Sequence, residues 1–312
     1  GFRQFLNEKM TTNYKCIVLR MMPLIAAAFM TASCGARAAA DPAGDKTTEK
    51  DSMSTTTTAT PDTASARVLV HTSAGDITVL LYGDTPRHRD NFLKLAREGY
   101  YDGTLFHRVI KEFMIQAGDP DSRDAVPGRQ LGAGGPGYNV DAEIVFPAHF
   151  HKRGALAAAR QGDQVNPMRR SSGSQFYIVT GKRVEPGQLD AVAAQLRRSR
   201  MQSVFNELAM KNRTEIIDLQ QRGDFEALKA MQDSLVAQTE AIVAKDSVLM
   251  TDEMSRAYTT IGGAPHLDGQ YTVFGEVVDG MDVVDRIEAA ATDGRDRPKE
   301  DIRILSTEVL DD

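Results

Sequence analysis

The chain has 312 residues, 41% hydrophobic and 26% charged, a balance that fits a globular protein with a core and excludes a disordered or fibrous one. Its net charge of −6 and isoelectric point near 5.6 argue against a nucleic-acid partner, because a phosphate-tracking protein carries a basic surplus. Two cysteines, Cys16 and Cys34, both lie near the N-terminus, so the folded part has no disulfide or thiol chemistry to offer.

Residues 1–34 read as a targeting segment. Lys15 and Arg20 supply a positive region, and residues 21–30 (MMPLIAAAFM) form an apolar run too short to span a bilayer. Thr31-Ala32-Ser33 then leads into Cys34. This resembles a bacterial lipobox, where the peptide is cut before a cysteine that receives lipid. An ordinary secretory signal cut near residues 38–40 is the alternative. Both place the protein outside the cytoplasm, and the first anchors it by lipid on the periplasmic side of a bacterial membrane. Without residues 1–34 the chain carries 33 basic against 42 acidic residues, a net of −9. Anionic headgroups repel such a surface, so a lipid must do the anchoring. Residues 35–66, rich in Ala, Thr, Ser and Asp, bury too little to offset their ordering entropy and read as a flexible tether.

Short strands begin at Arg67. Val68-Leu69-Val70 and Ile77-Thr78-Val79-Leu80-Leu81 flank Ser73-Ala74-Gly75-Asp76, a hairpin signal. Thr85-Pro86 predicts a helix with Thr as N-cap and Pro at the first position. Phe92, Leu93, Leu95 and Ala96 form its apolar side, and Gly99 ends it. Strands are predicted over 104–110, 155–160, 175–180, 270–277 and 302–309, with a helix over about 281–290. Between Gln188 and Tyr258 there is no proline and one glycine, Gly223. Leu189, Val192, Leu196, Met201, Val204, Phe205 and Leu208 form one amphipathic run. Leu228, Met231, Leu235 and Ile242 form a second, entered at Asp224 as N-cap. Residues 186–257 therefore read as a helical hairpin inserted into a β domain spanning 67–312, one that the domain tolerates and whose removal it also tolerates.

Four blocks carry a family resemblance. Phe106-His107-Arg108-Val109-Ile110 with Phe113-Met114-Ile115-Gln116-Ala117-Gly118-Asp119 is the first, and Gly154-Ala155-Leu156-Ala157-Ala158-Ala159-Arg160 the second. Ser172-Gly173-Ser174-Gln175-Phe176-Tyr177-Ile178 is the third, and Leu267-Asp268-Gly269-Gln270-Tyr271-Thr272-Val273-Phe274-Gly275-Glu276-Val277 the fourth. In this order they resemble the cyclophilin-type peptidyl-prolyl cis–trans isomerases. The resemblance implies a mainly β fold, a closed eight-stranded antiparallel barrel capped by two helices. It implies Arg108 as the catalytic side chain, with Phe113, Met114, Tyr177 and Leu267 lining a proline pocket. Gln116, Ala159, Arg160 and Gln175 would hold the substrate backbone, and Tyr271 stands where a binding-site histidine is common. His266 replaces a common tryptophan, which argues against tight cyclosporin binding but not against isomerase activity.

The implied substrates are proline-containing polypeptides, and the reaction calls for no cofactor or metal. Rotation about an X-Pro bond crosses a barrier of about 18–20 kcal/mol set by amide resonance. A guanidinium suits the task, because it is always charged and can donate to the prolyl nitrogen as that atom becomes pyramidal. The alternative is a non-catalytic periplasmic peptide-binding chaperone, which loss of Arg108 or Gln116 would favour; both are present. Other motifs point elsewhere more weakly. Residues 132–137 match G-x-G-x-x-G, but Pro136 interrupts them and no amphipathic helix follows. His149, His151 and Glu143 lack metal-ligand spacing. Ser172-Gly173-Ser174 lacks a nucleophile elbow. Strand alternation points His107 away from Arg108, as a structural histidine.

Overall fold

The computed structural model describes residues 64–246 and 249–310; the targeting segment, Cys34 and nearly all of the tether lie outside them. Strands β1 (Ala66–Thr72) and β2 (Gly75–Leu81) form the predicted hairpin, with Val68, Val70, Ile77, Val79 and Leu81 all turned inward by the two-residue repeat. The others are β3 (Arg108–Ile110), β4 (Met114–Ala117), β5 (Asn139–Val140), β6 (Ala155–Ala158), β7 (Ser171–Ser172), β8 (Phe176–Val179), β9 (Val273–Asp279) and β10 (Ile304–Leu310). Eight of them form one antiparallel sheet in the order β10-β1-β2-β9-β6-β8-β4-β3, while β5 and β7 pair separately.

The expected closed barrel is found as a curled sheet with two ends. Among the described residues no ladder joins β10 to β3. An isolated bridge between Leu105 and Arg303, and single bonds such as Phe106 N–H to the Ile302 carbonyl at 2.9 Å, stand there instead. The reason is local: the predicted strand over 104–110 becomes regular only at Arg108, leaving β3 three residues long.

Helix α1 (Pro86–Arg97) buries Phe92, Leu93, Leu95 and Ala96 as its pattern predicts. With α6 (Met281–Glu288), which buries Val283, Val284 and Ile287, it packs on the main core. Phe92 touches the rings of Tyr101, Phe176 and Phe274 at centroid distances of 5.0, 5.3 and 5.8 Å. Burying each such side chain contributes roughly 1.5–3 kcal/mol. The start of α1 departs from expectation. The Thr85 hydroxyl donates to the Tyr82 carbonyl, and the Glu143 carboxylate takes the free N–H groups of Arg87 and His88 at 3.1 and 3.0 Å. A negative group at this end also favours the helix dipole.

Among the described residues the insertion carries four α-helices rather than two: α2 (Leu189–Lys211), α3 (Arg213–Arg222), α4 (Phe225–Val243) and α5 (Asp252–Thr260), the last running on into the β domain. The long first arm breaks at Asn212, which leaves helical geometry. The turn back is as predicted. Gly223 sits at φ +68°, a conformation open to glycine, and the Asp224 carboxylate caps Ala227 N–H at 3.0 Å. On α4 the inward stripe is Gln232, Leu235, Val236, Thr239 and Val243, whereas Ile242 is 37% exposed. Nor is the insertion self-contained. Leu196 of α2 and Met254 and Tyr258 of α5 share a buried cluster with Phe150, so cutting out 188–256 would uncover Phe150 and Tyr258. Among the described residues, no helix is long and apolar enough to cross a membrane.

Candidate active site

Strand alternation builds the site. Along β4, β6 and β8, Ile115, Leu156, Phe176 and Ile178 face the main core. Their neighbours Met114, Ala155, Ala157, Tyr177 and Val179 face the other side, where Phe113, Leu267 and Tyr271 pack against them. On that side β6 presents alanines only, which leaves room for a cleft. Strand register then places residues in a row: Arg108 opposite Gln116, Gln116 opposite Tyr177, Tyr177 opposite Ala157, and Ala157 opposite Val273. Residues scattered along the sequence thus stand in line with Arg108 across one sheet.

Above this row lies a cleft of about 580 Å³. Nine of the ten substrate-contacting residues implied by the sequence line it: Arg108, Phe113, Met114, Gln116, Ala159, Arg160, Tyr177, Leu267 and Tyr271. The tenth, Gln175, lines an adjoining cavity of about 370 Å³ that shares Gln116, Ala159 and Arg160. The Gln116 amide donates to the Gln175 side-chain oxygen at 3.0 Å, and the Gln175 amide donates to the Gly134 carbonyl at 2.7 Å. Gly118, at φ +87°, lets the end of β4 approach the Ser174 carbonyl where a Cβ would collide.

The Arg108 side chain is 43% exposed, and its Nε lies 3.7 Å from Asp296, a loose pair that leaves its N–H groups available. Arg160 is different, with a side chain 3% exposed. It donates to the Gln270 and Gln161 carbonyls, pairs with Asp163 at 2.6 Å and lies 4.4 Å over the Tyr271 ring. Its guanidinium is engaged with the protein, so it builds the wall that supports Tyr271. Burial works to raise the Asp163 carboxyl, but the Arg169 and Arg160 guanidinium groups outweigh it and hold that carboxyl below its usual range. Phe113 closes the apolar end with His266, ring centroids 5.2 Å apart.

Beneath the cleft is a buried polar chain. Asp268 accepts from His151 N–H at 2.8 Å, from His151 Nδ1 at 2.9 Å, and from the Tyr258 hydroxyl. The other ring nitrogen of His151, Nε2, is hydrogen-bonded to the Tyr177 hydroxyl at 2.9 Å. Burial pushes the Tyr177 phenol well up, which keeps it a donor. His149 goes to Asp84 at 2.7 Å and Glu143 to α1, so these two histidines and Glu143 do not converge as ligands. Ser172 accepts the Gln175 N–H at 3.1 Å, as a turn residue. Residues 132–135 of the glycine-rich stretch line the two cavities.

Sequence reasoning missed Arg129, Leu131, Asp293 and Arg295 on the rim, because no motif reaches those loops. It also misplaced His107, which is 5% exposed and joins Arg108 in lining the cleft. The alternation rule fails there because residue 107 precedes the regular part of β3. Neither ring nitrogen of His107 makes a well-formed hydrogen bond among the described residues. Burial lowers its pKa from 6.5, against the opposing pull of Asp119 and the Leu105 backbone, and Arg108 and Arg297 lower it further. The unfolded chain therefore binds a proton near pH 6.5 that the folded protein takes only at lower pH, so stability falls as pH drops through that window. His107→Gln should show a smaller fall in urea midpoint between about pH 7 and pH 5 than the unmodified protein. Equal falls in both would remove His107 from this effect.

The chain matches the model of the cyclophilin type peptidyl-prolyl cis-trans isomerase family over residues 67–215 and 236–309. It is 33% identical over 250 residues to a putative bifunctional phosphatase/peptidyl-prolyl cis-trans isomerase of Streptococcus pyogenes, covering 78% of this chain but 39% of that one. It is 30% identical over 249 residues to a putative peptidyl-prolyl cis-trans isomerase of Staphylococcus haemolyticus, covering 78% of this chain and 91% of that one. A solved cyclophilin-type isomerase of Cryptosporidium parvum aligns at 21% identity and a TM-score of 0.46, over 80% of this chain and 99% of that chain. With the family model spanning most of the chain and the cleft residues falling inside its matched segments, this protein belongs to the cyclophilin-type peptidyl-prolyl cis–trans isomerases.

Proposed function

We propose that the protein isomerises X-Pro bonds in polypeptides folding outside the cytoplasm, with Arg108 as the catalytic side chain and Cys34 as its lipid anchor. The observation that carries the reading is the row Arg108, Gln116, Tyr177 lying beside the apolar Phe113, Met114 and Leu267. The apolar wall takes the proline ring. Gln116 and Gln175, tied to each other, present amide groups to the substrate backbone. As the X-Pro amide twists, its nitrogen becomes pyramidal and basic, and Arg108 donates a hydrogen bond to it. No covalent bond forms or breaks. Stabilising the twisted amide by about 6 kcal/mol gives roughly 10⁴-fold acceleration. A charge-assisted hydrogen bond with oriented binding is of the right size.

The test is a protease-coupled assay on a Xaa-Pro tetrapeptide, and a well-folded protein that leaves the uncatalysed rate unchanged would defeat the reading. Localisation has its own test. Cys34→Ala should move the protein from the membrane fraction to the soluble periplasm. Unchanged membrane attachment in that variant would reject the lipid anchor at this cysteine.

A further inference from the structure

A third cavity, of about 510 Å³, lies between helix α2 of the insertion and the loop around residues 167–169. Its apolar surface comes from Ile144, Met168 and Met210, and Arg200, Glu207 and Lys211 stand at its edges. Met168 is 65% exposed, and nearby in the chain Val165 is 72% exposed. Exposed apolar side chains rimmed by charge mark an interaction site rather than a core defect. Methionine suits such a site, because its flexible thioether adapts to unlike side chains.

This groove adjoins the isomerase cleft across a shared wall. One carboxylate oxygen of Asp163 holds Arg160, in the cleft, and the other holds Arg169, in the groove, at 2.6 and 3.0 Å. Arg169 also donates to Ser203 Oγ on α2 at 2.7 Å and to the Gly269 carbonyl at 3.4 Å. Gly269 lines the groove, while Leu267 and Tyr271 on either side of it line the cleft, so one short loop walls both.

A polypeptide does not end at its proline. Each further residue of an extended strand advances about 3.3 Å, so a segment leaving the cleft along this loop enters the groove within a few residues. We infer that the groove between α2 and the 167–169 loop is a second subsite for the same client chain, taking apolar side chains near the isomerised proline. This rests on the isomerase reading above and adds a preference that the cleft alone does not supply. A groove walled by the same short loop as the cleft is within reach of a segment bound there, which favours a client segment over a second copy of this protein as the occupant.

The test uses the full chain, its Met168→Glu variant and its Met168→Glu/Met210→Glu variant. Substrates are a Xaa-Pro tetrapeptide and the same peptide extended by eight residues on either side, bearing either leucines or only serines. The leucine extension on one side should raise kcat/KM about tenfold over the serine extension, mostly through KM. Both variants should shrink that advantage, the double variant to within about twofold, and leave tetrapeptide turnover unchanged. Equal turnover of leucine and serine peptides by the unmodified protein overturns the inference. So does a folded variant that loses tetrapeptide turnover as well, since the groove would then be part of the catalytic cleft. A concentration-dependent dimer that the variants abolish, with no extension effect, assigns the groove to a second copy and also overturns it. Inactivity of the unmodified protein on every peptide refutes the isomerase reading itself, and this subsite with it.

Discussion

Arg108→Ala is expected to lower kcat/KM on a Xaa-Pro tetrapeptide by two to three orders of magnitude, a loss of about 3–4 kcal/mol of transition-state stabilisation. The loss should fall on kcat more than on KM, because the nitrogen that Arg108 serves becomes a good acceptor only when the amide is twisted. The fold should survive. The side chain is 43% exposed and its pair with Asp296 is a loose 3.7 Å contact, so stability should change by no more than about 0.5 kcal/mol. Arg108→Lys keeps the charge but loses the planar fork, and should recover only part of the rate. A folded Arg108→Ala protein with full turnover would show that the cleft catalyses without a guanidinium, and the proposed mechanism would be wrong.

Arg108, Gln116 and Tyr177 are legible in the sequence because each sits in a dense local motif, and strand alternation makes a motif into a face. Phe113 and Met114 need the motif, since on spacing alone apolar residues at such positions are more often core than pocket. What stays hidden depends on contacts between distant segments. Glu143 caps α1 from 55 residues away, and nothing in the composition around Thr85 shows that a remote carboxylate displaces the local N-cap. The curled, unclosed sheet follows from how residues 103–106 meet 302–304, bond by bond rather than as a ladder. On α4 the sequence pattern ends its inward stripe at Ile242, whereas the structure ends it one residue later, at Val243. A helix face shows its width in sequence, but the partner helix decides which edge of that face is covered. The joint between the insertion and the cleft is the least legible feature, because His151 and Asp268 are 117 residues apart and Tyr258 falls one residue beyond the insertion's expected limit.

That joint carries the second large effect. Asp268→Ala should destabilise the protein by about 3–5 kcal/mol, the cost of leaving buried polar groups without their partner. The Asp268 side chain is 0% exposed and that of His151 is 1% exposed, so water cannot easily replace the lost acceptor. For a domain of this size the melting temperature should fall by roughly 10 °C. Activity should fall too, by about tenfold in the fraction that remains folded, because His151 would lose the bond that orients it toward the Tyr177 hydroxyl. Tyr258→Phe separates fastening from orientation. It keeps the ring packed against Phe150, with centroids 5.6 Å apart, and removes only the bond from α5 to Asp268. The expected loss is about 1–2 kcal/mol, with the His151–Tyr177 bond kept and turnover nearly unchanged. Thermal unfolding and the tetrapeptide assay on the two variants check both steps. If Asp268→Ala melts within about 2 °C of the unmodified protein, the buried chain is not what fastens the insertion beneath the cleft.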